Sequence, residues 1–402
     1  MRLKEICDYI SRGTTPDYVD DSPYKVMNQA TFSKGWLDES NIRYTSKNAS
    51  EAQIKKGDLL MASTGGGVLG KVFFFDSDDT SFYADSHVSI LRNSKGKNMM
   101  KYLYYVFFIK YDEINATMVK GSTNQTELQR NYLLAYEIDI PSLSKQQRIV
   151  DYLDAKLGKI DARIAILEKQ QDAYARLKRS VIHHAVTRGL NPNASLKDSG
   201  VKWIGLIPEH WELQRFKSIF TECKSVTETG QEDLLSVSEY YGVARRIDKM
   251  EDGEYESRAD SLVGYKVCKK DDLVINIMLA WKRGLGFSDF DGIVSPAYAV
   301  YRGKNIAPHY FHYLMRTDMY VAEYKRNSKG IIDSRLRMYT DRFNNIMAIV
   351  PPLSEQQAIA AYLDEKCSKI DAATENIGKQ IDALKRLKRA LINEVVTGQR
   401  AV

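Results

Sequence analysis

The chain has 402 residues, 44% of them hydrophobic, and a formal net charge of +6 at pH 7. This length is enough for two or three domains with real cores, and no apolar run approaches the roughly 20 residues of a membrane helix. The opening Met1-Arg2-Leu3-Lys4-Glu5 also lacks the apolar core of a signal peptide, so we expect a cytoplasmic protein. The mild excess of lysine and arginine permits nucleic-acid binding without demanding it.

Cysteine usage argues against two further classes of protein. The four cysteines form no Cys-x-x-Cys pair and have no histidines at ligand spacing. Neither a disulfide framework nor a zinc site is therefore expected.

The first 140 residues or so are predicted to mix strands and helix. Apolar and β-branched runs at 58–63, 71–75 and 87–91 predict strands, and the aromatic and aliphatic spacing over 99–114 predicts a helix. Residues 65–72, Gly-Gly-Gly-Val-Leu-Gly-Lys-Val, nearly match a phosphate-binding loop. An aromatic strand follows in place of a helix, and Val72 replaces the hydroxyl that would bind magnesium, so we expect a glycine-rich hairpin turn.

A long amphipathic helix is predicted over 142–190. Ser144 precedes Gln147 by three residues, which is the spacing of a capping box, and Gly189 marks the end of the helix. Apolar positions recur at alternating spacings of three and four, as in a coiled-coil seam, with one polar interruption and one slip in phase near Leu177. The stripe consists of Leu153, Leu157, Ile160, Ile164, Leu167, Gln171, Tyr174, Leu177 and Val181.

A linker is predicted over 191–212, followed by a second mixed domain over 213–350. The second half repeats framework segments of the first: 269–274 corresponds to 55–60 and 294–302 to 88–92, followed by a helix from Pro308 to about Lys325. Outside these segments the two halves share little, so the scaffold is repeated while the loops differ. Divergent loops on a common scaffold suggest two different targets.

The second half ends in a second long helix, predicted over 351–398. The segment from Val350 to Gln357 repeats the segment from Ile140 to Gln147, Ser354 takes the place of Ser144, and Gly398 marks the end. The stripe has the same register as the first, with Leu363, Cys367, Ile370, Thr374, Ile377, Ile381, Leu384, Leu387 and Leu391.

The matched length and register favour pairing of the two helices over packing of each on its own domain. About 40 residues at 1.5 Å each extend about 60 Å, which exceeds the roughly 34 Å of one turn of duplex DNA. We expect an α+β fold in which two similar mixed domains, 1–141 and 213–350, are joined by an antiparallel coiled coil with a pseudo-twofold axis. The seam residues are Leu153, Ile160, Ile164, Leu167, Leu363, Ile370, Ile377, Ile381 and Leu384.

The loops of both halves carry side chains that can contact DNA. Arginine and lysine can bind guanine edges or phosphates, and asparagine and glutamine can pair with adenine. The candidates of the first half are Thr14, Ser63, Thr64, Lys120, Thr123, Asn124 and Gln125. Those of the second half are Tyr241, Arg245, Arg246, Asn276, Lys282, Arg283, Arg335 and Arg337.

The sequence contains no recognisable catalytic constellation. His309 and His312 could share one helix face, but the aromatic residues around them and the lack of a nearby carboxylate in sequence favour a partly buried structural pair. The stretch Val350-Pro351-Pro352-Leu353 lacks both the polar and the aromatic end of an adenine methyltransferase motif.

The repeated P-x-L-S-x-Q-Q motif, the helices that follow it and the linker Gly200-Val201-Lys202-Trp203-Ile204-Gly205-Leu206-Ile207-Pro208-Glu209-His210-Trp211 resemble one family. The whole chain looks like a specificity subunit of a Type I restriction-modification enzyme. The resemblance implies two target-recognition domains, each reading one half of a split DNA sequence. It departs from the pattern in one place, because the tryptophan-proline segment precedes only the second domain.

The same resemblance implies the partners. Two modification subunits would dock on the helices and carry S-adenosylmethionine chemistry at adenine N6, and restriction subunits would supply ATP-dependent cleavage with Mg²⁺. This chain would bind no cofactor or metal and would have no catalytic residues. The alternative is a stand-alone coiled-coil adaptor or scaffold whose basic loops are incidental.

Overall fold

The computed structural model describes residues 1–46, 49–94, 97–120, 126–249 and 261–402. The chain forms two compact units: unit 1 consists of Met1–Glu168 and Lys379–Val402, and unit 2 of Lys169–Gly378. Each unit contains one mixed domain and a part of each long helix. Within the described ranges, no helix is long and apolar enough to span a membrane.

Unit 1 combines two four-stranded sheets with short helices. One sheet has the order β1-β8-β5-β6 and is antiparallel throughout, and the other has the order β2-β4-β3-β7, in which β3 and β7 are parallel. The strands are β1 (Tyr9–Arg12), β2 (Tyr18–Val19), β3 (Lys25–Met27), β4 (Arg43–Thr45), β5 (Leu59–Ala62), β6 (Val72–Phe74), β7 (Phe82–Ala84), β8 (Val88–Arg92), β9 (Val119–Lys120) and β10 (Glu127–Leu128). The helices are α1 (Leu3–Ile6), α2 (Gln29–Phe32), α3 (Lys97–Ile109), α4 (Tyr111–Thr117), α5 (Arg130–Ala135) and the first part of α6 (Leu143–Arg188).

Unit 2 repeats the antiparallel sheet with the order β14-β21-β18-β19. Its strands are β11 (Leu196–Asp198), β12 (Leu206–Pro208), β13 (Glu212–Arg215), β14 (Phe220–Cys223), β15 (Leu235–Ser238), β16 (Gly242–Arg245), β17 (Lys266–Cys268), β18 (Asp272–Asn276), β19 (Leu285–Phe287), β20 (Gly292–Val294), β21 (Tyr298–Gly303) and β22 (Met347–Val350). Its helices are α7 (Phe216–Ile219), α8 (Pro308–Met315), α9 (Asp318–Asn327), α10 (Thr340–Phe343) and the first part of α11 (Leu353–Val396).

Strand β5, an inner strand of the antiparallel sheet of unit 1, is buried on both faces. Leu59 and Met61 of β5 belong to one hydrophobic cluster, and Leu60 and Ala62 belong to another. Successive side chains of a strand point to opposite faces, so a continuous apolar run suits a strand between two cores. The predicted strands of this region are confirmed, and β5 and β6 form the predicted hairpin around the glycine-rich turn.

An ion pair with a buried aspartate is repeated at the end of the sheet in both units. Asp58 accepts two hydrogen bonds from Arg92, at 2.7 and 2.6 Å, and one from the backbone N–H of Lys55. Asp272 accepts two from Arg302, both at 2.8 Å, and one from the N–H of the corresponding lysine. The repeated Lys-Lys-x-Asp sequence therefore encodes a turn that is fixed to the neighbouring strand.

We expect Asp58→Ala to destabilise unit 1 more than Asp272→Ala destabilises unit 2. The Arg92 side chain is only 17% exposed, so losing its partner should cost about 3 kcal/mol of unfolding free energy. Arg302 is 57% exposed, so water would hydrate its guanidinium once Asp272 is removed. The loss of Asp272 should therefore cost about 1 kcal/mol of unfolding free energy. Hydrogen exchange, followed separately in the two units, measures both costs. Equal losses would show that exposure of the arginine does not set the cost.

The two long helices are antiparallel neighbours in unit 2. Lys178 of α6 lies 2.6 Å from Asp371 of α11, and a Cβ on Gly378 would lie 3.5 Å from the Gln171 amide. The chain therefore advances seven residues along α6, from Gln171 to Lys178, while the facing positions on α11 move back seven residues, from Gly378 to Asp371. This confirms the predicted antiparallel pairing.

The corresponding helix segments pair in unit 1. Lys388 of α11 lies 2.7 Å from Asp161 of α6, and both residues are the repeat equivalents of the pair in unit 2. Leu153 and Leu157 of α6 lie in the same core as Leu391 of α11. The same aspartate–lysine ion pair thus links α6 to α11 in each unit.

Burial along the two long helices follows the predicted stripe except at two leucines. Leu177 and Leu387 contradict it, because they are 47% and 53% exposed. In each helix the next residue, Lys178 or Lys388, faces the partner helix and pairs with an aspartate. The buried or half-buried seam residues are Leu153, Ile160, Ile164, Leu167, Leu363, Ile370, Ile377, Ile381 and Leu384.

The capping boxes predicted at Ser144 and Ser354 are wrong, because each long helix begins one residue before its serine. The side-chain amides of Gln146 and Gln356 instead donate to the carbonyl oxygen of the proline five residues earlier, at 2.7 and 2.8 Å. Both glutamines are buried. The first glutamine of each repeated pair therefore fixes the start of its helix.

Each domain is fastened to a long helix by a tyrosine and an aspartate. Tyr105 of α3 donates a hydrogen bond to Asp154 of α6, and Tyr313 of α8 donates one to Asp364 of α11 at 2.8 Å. The two aspartates occupy the same place in the repeat. Each domain thus uses the same kind of joint, within its own unit.

The segment predicted as a linker, 191–212, is a packed part of unit 2, and we refer to it as the strap. Ile204, Ile207 and Trp211 belong to the hydrophobic core, and Trp203 packs edge-on against Tyr320 with ring centroids 5.0 Å apart. Its strands β11 and β12 pair with each other. The strap therefore contributes to the stability of unit 2.

Candidate nucleic-acid interface

Three loops of unit 2 carry most of the predicted DNA-contacting residues of the second half. Loop A (239–241) joins β15 to β16, loop B (277–284) joins β18 to β19, and loop C (328–337) follows α9. Loops at the ends of strands are free to vary in sequence while the scaffold holds their positions.

Arg316 joins loop A to loop B. Its guanidinium donates to the carbonyl oxygens of Glu239 and Tyr240 at 2.8 and 3.1 Å, and to those of Arg283 and Leu285, both at 2.7 Å. The helix predicted from 308 to about 325 is broken at this residue into α8 and α9. Sequence reasoning missed Arg316, because nothing in its local pattern shows which carbonyls it reaches.

Burial lowers the pKa of Arg316 to about 10, and the neighbouring Arg283 adds to the shift. The group therefore stays protonated at neutral pH. Its four acceptors are neutral carbonyls, so its positive charge remains available to attract an anion near loops A and B.

Loop C lies beside loop B. The backbone N–H of Met338 donates to the carbonyl oxygen of Ile277 at 2.8 Å. Lys325 of α9 and Lys282 of loop B both lie near the Trp281 ring, 5.2 and 5.0 Å from its centroid. Loops A, B and C are thus connected through Arg316, the Met338–Ile277 hydrogen bond and this aromatic contact.

A cleft of about 700 Å³ lies between these loops and the part of α6 within unit 2. Its lining includes Arg179 and His183 of α6 together with Tyr240, Arg283 and Arg316. Cations from two elements therefore face one cleft, as expected for a surface that binds a polyanion.

The predicted contacts around loop A are held by neighbouring side chains. Arg245 lies 3.1 Å from Asp233 and stacks over Phe290 at 4.6 Å. The hydroxyl groups of Tyr241 and Ser236 are 3.4 Å apart. Arg246 is half-buried beside them.

The predicted contacts of loops B and C differ in exposure. Lys282 and Arg335 are exposed. Arg283 has a left-handed backbone, with φ 63°, and its guanidinium is occupied by the Arg316 carbonyl and by Asp318. Arg337 is half-buried and donates to a carbonyl oxygen of its own loop.

The predicted base contacts of Ser63 and Asn276 are wrong for this structure. The Ser63 hydroxyl is buried 2.6 Å from that of Ser89. Asn276 is buried and its side-chain oxygen accepts a hydrogen bond from the backbone N–H of Met278. Neither side chain reaches the surface, because each stabilises a strand end.

Unit 1 also brings its predicted stretches together. Arg12 pairs with Glu127 and donates to the carbonyl oxygen of Leu128, whose own N–H donates to the carbonyl oxygen of Ser63 at 2.9 Å. The hydroxyl of Thr64 lies 2.7 Å from the His87 ring. The regions around residues 12, 64 and 128 therefore form one surface.

The remaining predictions of the first half are only partly located. Thr14 is half-buried, and its N–H donates to the carbonyl oxygen of Ala84. Thr123, Asn124 and Gln125 lie outside the described residues, as does the side chain of Lys120. Their role in DNA contact stays a prediction.

The histidine pair has a carboxylate neighbour that the sequence did not reveal. His309 lies 3.1 Å from Asp364 of α11. Burial lowers the pKa of His312 to about 3, which keeps it neutral. Across the part of the chain that the structure describes, no three histidine, cysteine or acidic residues are arranged to hold a metal ion.

The comparisons point to one kind of protein. Residues 1–173 match the family model of the Type I restriction modification DNA specificity domain. The chain is 21% identical over 377 residues to the type I restriction enzyme MjaVIII specificity subunit of Methanocaldococcus jannaschii, covering 89% of this chain and 82% of that protein. It is 20% identical over 213 residues to the EcoKI specificity subunit of Escherichia coli K12, covering 48% and 44%.

The fold has a solved counterpart. It matches, with a TM-score of 0.65 and 15% identity, a chain from a structural study of complex assembly and conformational transition of the type I R-M system, covering 98% of this chain and 96% of that one. This match shows that the repeated sheet and the paired long helices form a fold that a known protein shares. The chain is similar over most of its length to a specificity subunit of a Type I restriction enzyme, and its first 173 residues match the family's DNA specificity domain.

Proposed function

We propose that this chain selects the DNA sequence for a Type I restriction-modification enzyme by reading a bipartite target, one half with each mixed domain. The observation that carries the proposal is one scaffold used twice with different loop chemistry. The ion pair at the sheet end and the joint to the long helix are repeated. The loops are not repeated: loops B and C together contain five lysines and arginines, whereas unit 1 presents Thr64 and His87.

The proposal includes the partners of the family. The chain acts in the cytoplasm without catalytic residues or a cofactor of its own. Two modification subunits dock on α6 and α11 and use S-adenosylmethionine to methylate adenine N6. Restriction subunits then join and use ATP and Mg²⁺. The repeated helix surfaces support this stoichiometry, because two equivalent helices can present two equivalent binding sites.

Methylome sequencing tests the proposal. Cells that express the chain with its cognate modification subunit should carry N6-methyladenine in a split motif, and deletion of the chain should remove that motif. An unsplit motif, or one that survives the deletion, would contradict it. A coiled-coil adaptor would show no sequence-preferring DNA binding even with its partner present.

Alanine substitutions of two exposed basic residues of unit 2 should affect DNA binding in different ways. Arg335→Ala should relax selection at one base pair by about 1 to 3 kcal/mol if its guanidinium reads a base edge. Lys282→Ala should weaken binding to all sequences alike and reduce the salt slope by about one, because an exposed ammonium is a compact point charge that suits a phosphate. Competition binding at several salt concentrations separates the two effects. Identical salt behaviour for both variants would argue against these roles.

A further inference from the structure

Loop C presents isoleucine to solvent at its tip. Ile331 is 99% exposed, and its neighbour Ile332 is also exposed. Scattered apolar residues on a surface need no explanation. A β-branched pair at the tip of a loop, with one side chain entirely in water, is different, because a partner that buries both side chains would gain hydrophobic free energy.

The tip is held in position by its own backbone. Lys329 and Arg337 exchange two backbone hydrogen bonds, each of 2.9 Å, which close the loop at its base. The N–H of Arg335 donates to the carbonyl oxygen of Ile332 at 2.9 Å. Leu336, just inside the base, is buried. The isoleucines are therefore presented on an ordered turn.

Gly330 is required by a close approach within this loop. A Cβ at this position would lie 2.6 Å from the carbonyl oxygen of Arg335. Real Cβ atoms do not come so near to a backbone oxygen, so a larger residue would move the tip. The sequence thus maintains the turn that exposes Ile331.

The charge around the tip identifies the kind of partner. Residues 325–337 contain five lysines and arginines and one aspartate, Asp333, which pairs with Lys325 at 2.9 Å. An apolar tip between cations is complementary to duplex DNA, where phosphates flank a stack of apolar base faces. Minor-groove proteins insert isoleucine, leucine or phenylalanine between base pairs in this way.

We propose that Ile331 is a wedge that inserts between two base pairs of the half-site bound by unit 2 and partly unstacks them. Lys329 neutralises a phosphate beside the opened step, Arg335 reads a neighbouring base edge, and Ile332 covers the opened step. This inference rests on the proposed function and adds to it a means of selecting sequence by deformability, since pyrimidine–purine steps unstack most easily. In sequence, the corresponding stretch of the first half, 120–125, contains no apolar side chain. The wedge therefore acts in one half-site.

The test uses the complex of the full chain with its modification subunits, and a duplex that contains the methylated motif. 2-Aminopurine is placed in turn at each position except the methylated adenine. The wild-type complex should raise its fluorescence several-fold at one step of the unit 2 half-site. Ile331→Ser should remove this rise and lower target affinity on the order of tenfold, without changing the salt slope. Ile331→Phe should retain the rise.

Leu196→Ser is the matched control, because Leu196 is an exposed apolar residue of unit 2 on the strap. It should change neither the fluorescence nor the affinity. If the wild-type complex binds its target selectively but raises fluorescence at no step, the wedge is wrong and the proposed function stands. Loss of the modification subunits from Ile331→Ser alone would show that the tip binds protein and would also overturn the wedge. A wild-type complex without target preference would overturn the proposed function and the wedge with it.

Discussion

Arg316→Met is expected to abolish selective DNA binding by unit 2 and to lower the stability of that unit. The guanidinium is the shared donor to four backbone carbonyls on loop A, loop B and the first residue of β19. Methionine fills similar space but donates nothing, so four acceptors lose their partner. At roughly 1 kcal/mol for each lost hydrogen bond, the cost is about 4 kcal/mol. The loops would no longer hold one relative position, and we expect target affinity to fall by at least 100-fold.

Arg342→Met is the matched control for this experiment. Arg342 is an exposed arginine of α10 in the same unit, 3.8 Å from Asp341. Exposed ion pairs contribute about 0 to 1 kcal/mol, so this variant should be nearly neutral. Arg316→Lys should recover little, because one ammonium cannot reproduce the planar fork that reaches both loops. Hydrogen exchange of the loop backbones and competition binding provide the measurements. Unchanged selectivity in Arg316→Met would show that the loops are positioned without it.

Trp211→Ala is expected to detach the strap from unit 2. Trp211 is fully buried, and its indole N–H donates to Glu355 at 2.9 Å. Its ring packs against Gly189, because a Cβ added to that glycine would lie only 3.1 Å from the ring. It therefore joins the end of α6 to the start of α11. Removal of a buried tryptophan costs about 3 to 5 kcal/mol. Limited proteolysis should cut the strap of the variant faster than that of the wild type.

Two further variants define what Trp211 contributes. Trp36→Ala removes an exposed tryptophan of unit 1 and should change stability little. Trp211→Phe retains most of the packing but loses the hydrogen bond to Glu355, so it should cost about 1 to 2 kcal/mol. If Trp211→Ala were as resistant to proteolysis as the wild type, the remaining contacts of Ile204, Ile207 and Trp203 would be enough to hold the strap.

The repeated elements were predictable because they depend on local pattern. Strands such as β5 and β8 are marked by apolar runs, and the seam is marked by its spacing. The exposure of Leu177 and Leu387 was not predictable in the same way. It depends on the lysine next to each of them reaching an aspartate about two hundred residues away in sequence. A stripe on one helix does not reveal which partner side chain competes for the same face.

The candidate site was predictable in composition but not in detail. Residue type marked Ser63 and Asn276 as possible base contacts, yet both are buried at strand ends. Arg316 was missed for the opposite reason, since its role depends on three segments that meet only after folding. The contact of His309 with Asp364 was missed likewise. Burial and long-range hydrogen bonds determine which of these side chains can contact a ligand, and a short sequence motif predicts neither of them.

The repeated ion pair has a consequence for shorter forms of this protein. Asp161 and Lys178 lie on the same helix, α6, and each pairs with the repeat equivalent of the other on α11. A chain that ended after α6 would still carry both charges. Two copies of it could pair through a twofold axis, each aspartate meeting the lysine of the other copy. Such a homodimer would present two identical domains and would therefore favour a palindromic DNA target.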